Sequence, residues 1–367
     1  MGDHGHRSRA AFRELISIHV CLGLASIWTL ICSLGCDSDS ELDKTLRVVL
    51  PTAASEDFVP DVADVSQREA DTFVIAWAKA FSDGNACDLQ PLVDTNAIVD
   101  RMVDRLGLAS TNKEQFCKLP EAMLSNVVVS VGAIVKAGGS YELVHIAFRS
   151  GQRHAIFRLT APGSLPTYHD LRLVKRGSGV RTDQWFISTN GEALADSLAN
   201  SAAAKLFSNN NSLLDRLTGT AARELKAAEN AQQMQLDVQA GRHKQALAIY
   251  HSLSEETKSS RSVQNARLNA CAGISDQHFQ LALEEHTRLF PGDTSTIYTK
   301  LNLAILKESP EQILEGHNQL QQWVGGDDEL RLLIAQTLQP LGHEHHAEKL
   351  RSEVAPEVRD EFGSRGE

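Results

Sequence analysis

Four apolar residues in the last third of the chain, Ala246, Phe279, Ile313 and Ala347, follow one another at steps of 33, 34 and 34 residues. A step that regular leaves few folds open. Each copy must be one small supersecondary unit whose apolar face is covered by the next copy, because a unit of this size cannot bury its own. Gly241 stands five residues before Ala246, and Gly342 five before Ala347. From Leu213 onward the apolar pattern is helical throughout, and Phe290-Pro291-Gly292-Asp293 breaks it between copies.

Residues 66–206 read differently. Ala70, Phe73, Val74, Trp77, Ala78 and Phe81 recur at three- and four-residue spacing, which predicts a helix from Gln67 ended by Ser82-Asp83-Gly84-Asn85. Shorter helices are expected over Asp88 to Val93, Thr95 to Leu106 with Thr95 as cap and Gly107 as stop, and Lys113 to Leu124. After Asn126 the period shifts towards two. Strands are expected at Val127 to Val135, Tyr141 to Phe148, His154 to Leu159, Tyr168 to Val174 and Gln184 to Ser188, most of them separated by glycine-containing turns. Helices followed by an antiparallel meander make an α+β domain, and the chain then continues as an all-α helical-repeat domain over 213–355 with a disordered tail at 356–367.

The order of a long first helix, an Asp-Gly turn, short helices and a curved sheet ending in Tyr168-His169-Asp170-Leu171-Arg172-Leu173 and Trp185-Phe186-Ile187-Ser188 resembles the nuclear-transport-factor-2-like fold. That fold is shared with ketosteroid isomerases and scytalone dehydratases. The resemblance implies a cone-like cavity, in whose enzymes a carboxylate moves a proton while a tyrosine hydroxyl holds the oxyanion. The polar groups on offer are Tyr141, His145, His154, Tyr168, Asp170 and Asp183, of which Tyr168 and Asp170 share a strand face. No carboxylate matches the enzymes residue by residue. The 33- to 34-residue period resembles a tetratricopeptide repeat (TPR) domain with degenerate copies, which implies a surface for a protein or peptide partner.

The N-terminus supplies an address. Arg7, Arg9 and Arg13 precede the uncharged, mostly apolar stretch Leu15 to Gly35, which ends at Ser33-Leu34-Gly35-Cys36. Gly35-Cys36 resembles the end of a bacterial lipoprotein signal, from which Ser33 and Leu34 depart, and the resemblance implies lipidation at Cys36. An uncleaved helical anchor and soluble secretion are the alternatives. Each puts the body outside the cytoplasm, in the cell envelope or beyond it. Residues 37–65 carry eight acids (Asp37, Asp39, Glu41, Asp43, Glu56, Asp57, Asp61, Asp64) against Lys44 and Arg47, the composition of an extended tether.

Charge excludes one partner class. The whole chain carries −11 and its first 35 residues +1, leaving −12 on the rest, so a nucleic acid is not expected. Cys87 and Cys117 flank the short helices and in an exported protein can close a disulfide; two separate thiols are the alternative. Cys271 is expected between repeat helices. His343, His345 and His346 form the most metal-like cluster, with His343 and His346 able to share a helical face, but His-Glu-His-His-Ala is not the His-Glu-x-x-His zinc motif. The sequence thus predicts a membrane-tethered, non-catalytic interaction adapter without cofactors. A small-ligand binder or isomerase-like enzyme using the cone is the alternative.

Overall fold

The computed structural model describes residues 64–106, 116, 118–162, 164–208, 220–291 and 293–364. The leader with Cys36, the tether up to residue 63, Gly107 and Cys117 lie outside these residues. Helix α1 (Gln67–Asp83) opens on a capping box in which Ser66 and Glu69 satisfy each other's backbone N–H, and ends on Gly84 at φ 66°. Ala70, Phe73, Val74, Trp77, Ala80 and Phe81 form its buried face.

Two 3-10 turns lead to α2 (Thr95–Arg105), which is capped by Asp94 rather than Thr95: the Asp94 carboxylate accepts from the Ala97 N–H at 3.2 Å. Helix α3 (Lys118–Lys136) corrects the expected strand at Val127 to Val135. Met123, Leu124, Val127, Val128 and Val131 are buried while Val129 is exposed, a stripe of helical spacing. Burial of that stripe overrides the strand preference of three consecutive valines.

The strands β1 (Ser140–Arg149), β2 (Gln152–Thr160), β3 (Thr167–Arg176), β4 (Gly179–Ile187) and the two-residue β5 (Glu192–Ala193) form one antiparallel sheet in sequence order. Helix α4 (Leu194–Ser208) follows. The centres of β2 and β3 are buried at consecutive residues rather than at alternate ones. Such a strand has cover on both faces. One face carries α1 to α4, and the other carries the helices that follow.

Those helices come in pairs. Helix α5 (Thr220–Gln239) pairs with α6 (His243–Ser252); after a short α7 (Glu255–Lys258), α8 (Arg261–Ala272) pairs with α9 (Asp276–Leu289). Then α10 (Thr294–Leu306) pairs with α11 (Pro310–Val324), and α12 (Asp328–Leu338) with α13 (Glu344–Ser352). Each second helix carries one of the four spaced residues at its fourth position, and Ala246, Phe279, Ile313 and Ala347 are all buried. Residues 356–364, expected as a tail, instead form α14 (Pro356–Ser364), which packs on α12. The described chain is therefore an α+β unit followed by an all-α array.

The turn before the second helix explains where glycine is missing. Gly241 and Gly342 sit there at φ 71° and 82°, and in the third pair the equivalent Glu308 takes φ 52°. A side chain in the left-handed region costs about 1 kcal/mol. Glu308→Gly should therefore raise stability by up to about 0.5 kcal/mol, the strain relieved less the unfolded-chain entropy that glycine adds. Urea denaturation checks this, and a lowered midpoint would contradict it.

Candidate functional site at the sheet–helix seam

Alternate residues of β2 and β3 point to opposite faces, and the two faces meet different partners. Ala155, Phe157, Leu171 and Leu173 pack into the core under α1 to α4. Ile156 and Tyr168 pack into the core of the array with Tyr298, Leu301 and Leu330. The second contact is a seam between the sheet and the ends of α8, α10, α11 and α12.

At its centre lies a buried ionic cluster. Arg158 of β2 pairs in register with Tyr168 of β3, and both reach Asp327, the N-cap of α12. Tyr168 donates its hydroxyl to Asp327 Oδ2 at 2.7 Å, while Arg158 Nη1 stands 2.5 Å from Oδ1. Arg158 Nη2 also meets Glu142 at 2.7 Å and Glu329 at 2.6 Å. The Asp327 backbone is held by Gln321 of α11, whose side chain accepts from its N–H and donates to its carbonyl. Burial first, and then the charge of Asp327, push the Tyr168 hydroxyl well above its ordinary pKa, so it remains a donor.

Two residues along β3, Asp170 holds a second set. One of its oxygens lies 2.6 Å from His154 Nδ1 and the other 3.0 Å from Arg149 Nη1. Arg149 also donates to the carbonyls of Trp323 and Val324 at the end of α11 and lies over the Trp323 ring at 5.5 Å. His145 packs against Gly325, where an added Cβ would come within 2.7 Å of the imidazole. Burial, then the charge of Arg149, hold His145 below its ordinary pKa.

A third contact closes the far end of the sheet. Gly191, at φ 65°, approaches α8 and α10 so closely that a Cβ would stand 2.6 Å from Asp293 Oδ1 and from Ser295 Oγ. Arg261 of α8 pairs with Asp293 and donates to Ser295. The neighbouring Glu192 is buried, with Ser197 Oγ at 3.2 Å and Asn200 Nδ2 at 3.4 Å. Burial, then the nearby Asp196, raise its pKa to about 7.

The face under α1 to α4 holds a separate polar chain among aromatic rings. Trp77 Nε1 donates to the Tyr141 hydroxyl at 3.1 Å, and that hydroxyl lies 3.1 Å from His169 Nδ1. Burial lowers the His169 pKa to about 3, so the ring is neutral. With Tyr141 donating to Nδ1, the ring proton sits on Nε2. Neither His169 Nε2 nor Trp185 Nε1 has a hydrogen-bond partner, and the two rings stand 5.2 Å apart.

Of the residues singled out in the sequence, Tyr168 and Asp170 do share a face, and that face is the one covered by the array. Tyr168 is bound to Asp327, and Asp170 to His154 and Arg149. A carboxylate holding an imidazole is an arrangement used in general-base chemistry when the second ring nitrogen meets a substrate. Asp183 lies between Arg101 and Arg172; although burial opposes it, these arginines hold its pKa below the usual value.

His343 caps α13, with its ring 6.2 Å from that of His346. Among the described residues no group of three or more His, Cys, Asp or Glu is placed to hold a metal ion. Cys87 is an exposed thiol on the first 3-10 turn, and Cys271 is buried in the core of α5, α6, α8 and α9. No described helix is long and apolar enough to cross a membrane. Arg158 and Asp327 escape a sequence reading because 169 residues separate them and nothing local marks either as a partner.

Comparison of the chain with family models, with curated proteins and with solved structures finds no match.

Glu192 gives the seam a pH dependence of known sign. Its carboxyl titrates near 7 folded and near its ordinary 4.5 unfolded, so the unfolded chain loses the proton first. Stability falls as pH rises between these values. Glu192→Gln should be more stable than the parent at pH 8, by about 1 to 3 kcal/mol, and should match it near pH 4. Urea midpoints at the two pH values check this; an equal gap at both would contradict it.

Proposed function

We propose that this chain is a membrane-tethered, non-catalytic interaction adapter of the cell envelope, in which a TPR-like array presents a binding surface and an NTF2-like α+β unit fixes its position. The observation that carries the reading is the constant pitch of the helix pairs, with Ala246, Phe279, Ile313 and Ala347 buried at equivalent positions. Stacked pairs of this kind present an extended surface suited to a protein or peptide partner. The seam engages the array through the ends of α8, α10, α11 and α12, and α5 packs separately on α4. Leu236 of α5 and Leu281 of α9 are 39% and 55% exposed. The basic apolar leader and Cys36 support the tether.

A second reading is favoured by one observation. The two partnerless N–H donors His169 Nε2 and Trp185 Nε1 lie inside the α+β unit, where an oxygen acceptor on a small ligand would satisfy them. Native mass spectrometry separates the two readings, since a bound small molecule lost in His169→Phe supports the second one.

For the adapter, the full chain used as bait in envelope extracts should retain one defined partner, weakened at least about tenfold by Leu236→Glu or by Leu281→Glu. Equal recovery by the parent and both variants would refute it. Cys36→Ala should abolish acyl-chain incorporation and release the protein from the membrane fraction; unchanged labelling would refute lipidation at that residue.

A further inference from the structure

Strand β1 forms one edge of the sheet. It lies at the end of the sheet order and, among the described residues, pairs only with β2. It runs for ten residues with no proline or lysine, and every residue along it is partly or largely exposed. A strand edge with these properties is a template for another strand unless something covers it.

The side chains on this edge are self-complementary. Strand β1 carries a bulge at Val144, between Leu143 and His145, so the direction of its side chains shifts there. Leu143 pairs with Phe157 and so lies on the face under α1 to α4, as does Ile146, whereas Val144 packs towards the array. By alternation from Ile146, Phe148 shares the first face, and Ala147 and Arg149 share the second.

Consider two copies of β1 running antiparallel about a two-fold axis at Ile146. Ala147 then opposes His145 together with the bulged Val144. Phe148 opposes Leu143, and Arg149 opposes Glu142. Every pair falls on a common face, as antiparallel pairing requires. Leu143 and Phe148, 38% and 61% exposed, are the large apolar residues of this strand that remain uncovered in one copy. Glu142 and Arg149 have opposite charges and each already has an ion-pair partner within its own chain, so the cross-pair extends two existing clusters.

We propose that β1 is a dimerisation edge: two copies of this chain join through antiparallel β1 strands centred on Ile146, giving one continuous sheet across the pair. This goes beyond the adapter reading and does not depend on it. A dimer would present two arrays and two tethers from one body.

Sedimentation velocity of the full chain in mild detergent tests the proposal with parent and Phe148→Lys. The parent should be dimeric, and the variant should associate at least about tenfold more weakly. A second measurement stands apart from folding of that variant. Chains carrying Leu143→Cys and Phe148→Cys, mixed and oxidised, should form a disulfide between positions 143 and 148, identified by peptide mapping, that neither chain alone can form, since opposed strand residues lie within disulfide reach. A monomeric parent would overturn the proposal. So would a dimer that survives Phe148→Lys without that disulfide, which would place the contact elsewhere. Protection of β1 amides in a monomer would overturn it as well, because residues of the same chain would then cover the edge.

Discussion

The side chain of Arg158, 7% exposed, is the charge on which the arrangement of the two units depends. A guanidinium in the middle of a sheet cannot be left without carboxylates, because removing it from water costs far more than its side-chain packing returns. Asp327, Glu329 and Glu142 answer it, the first two from the opening turn of α12. That requirement sets the array against the sheet at one register. Tyr168 then has a partner for its hydroxyl, and Gln321 locks the loop that carries Asp327. A buried ion pair of this kind is weak evidence for net stability and better understood as a device of specificity. A shifted array would leave Arg158 with Glu142 of β1 alone in place of three carboxylates.

Much of the fold was legible in local pattern. The apolar stripe of α1, four of the expected strands and the helical period of the array all rest on contacts close in sequence or on a repeated step. Three features were not. The valines of α3 look like a strand until their burial is known, because period and propensity point different ways there. Residues 356–364 are polar enough to pass for a tail, yet they follow the buried Val354 and pack on α12 as a helix. The seam was the largest omission. The alternation in β3 correctly placed Tyr168 and Asp170 together, but the groups that meet them, Asp327, Arg149 and Trp323, come from elements whose proximity no local spacing encodes.

In the proposed adapter role, the seam matters more than either unit. A flexible join would let the array move independently of the sheet, and a partner held by the array would then have no fixed place relative to the proposed tether. With three contacts along the sheet, around Asp327, Arg149 and Gly191, and with α5 packed on α4, the array is carried as an extension of the α+β unit. Glu192, at the last of these, puts a protonation step beside the contact between Arg261 and Asp293.

The central claim is that sheet and array form one cooperative body through the Arg158–Asp327–Tyr168 cluster. Native-state hydrogen exchange along a urea series measures it directly, by comparing the opening free energies of amides in β2 and β3 with those in α10 to α12. The account predicts one common value in the parent and a lower value for the array than for the sheet once Asp327 is replaced by alanine. Separate opening free energies in the parent, unchanged by that replacement, would contradict it.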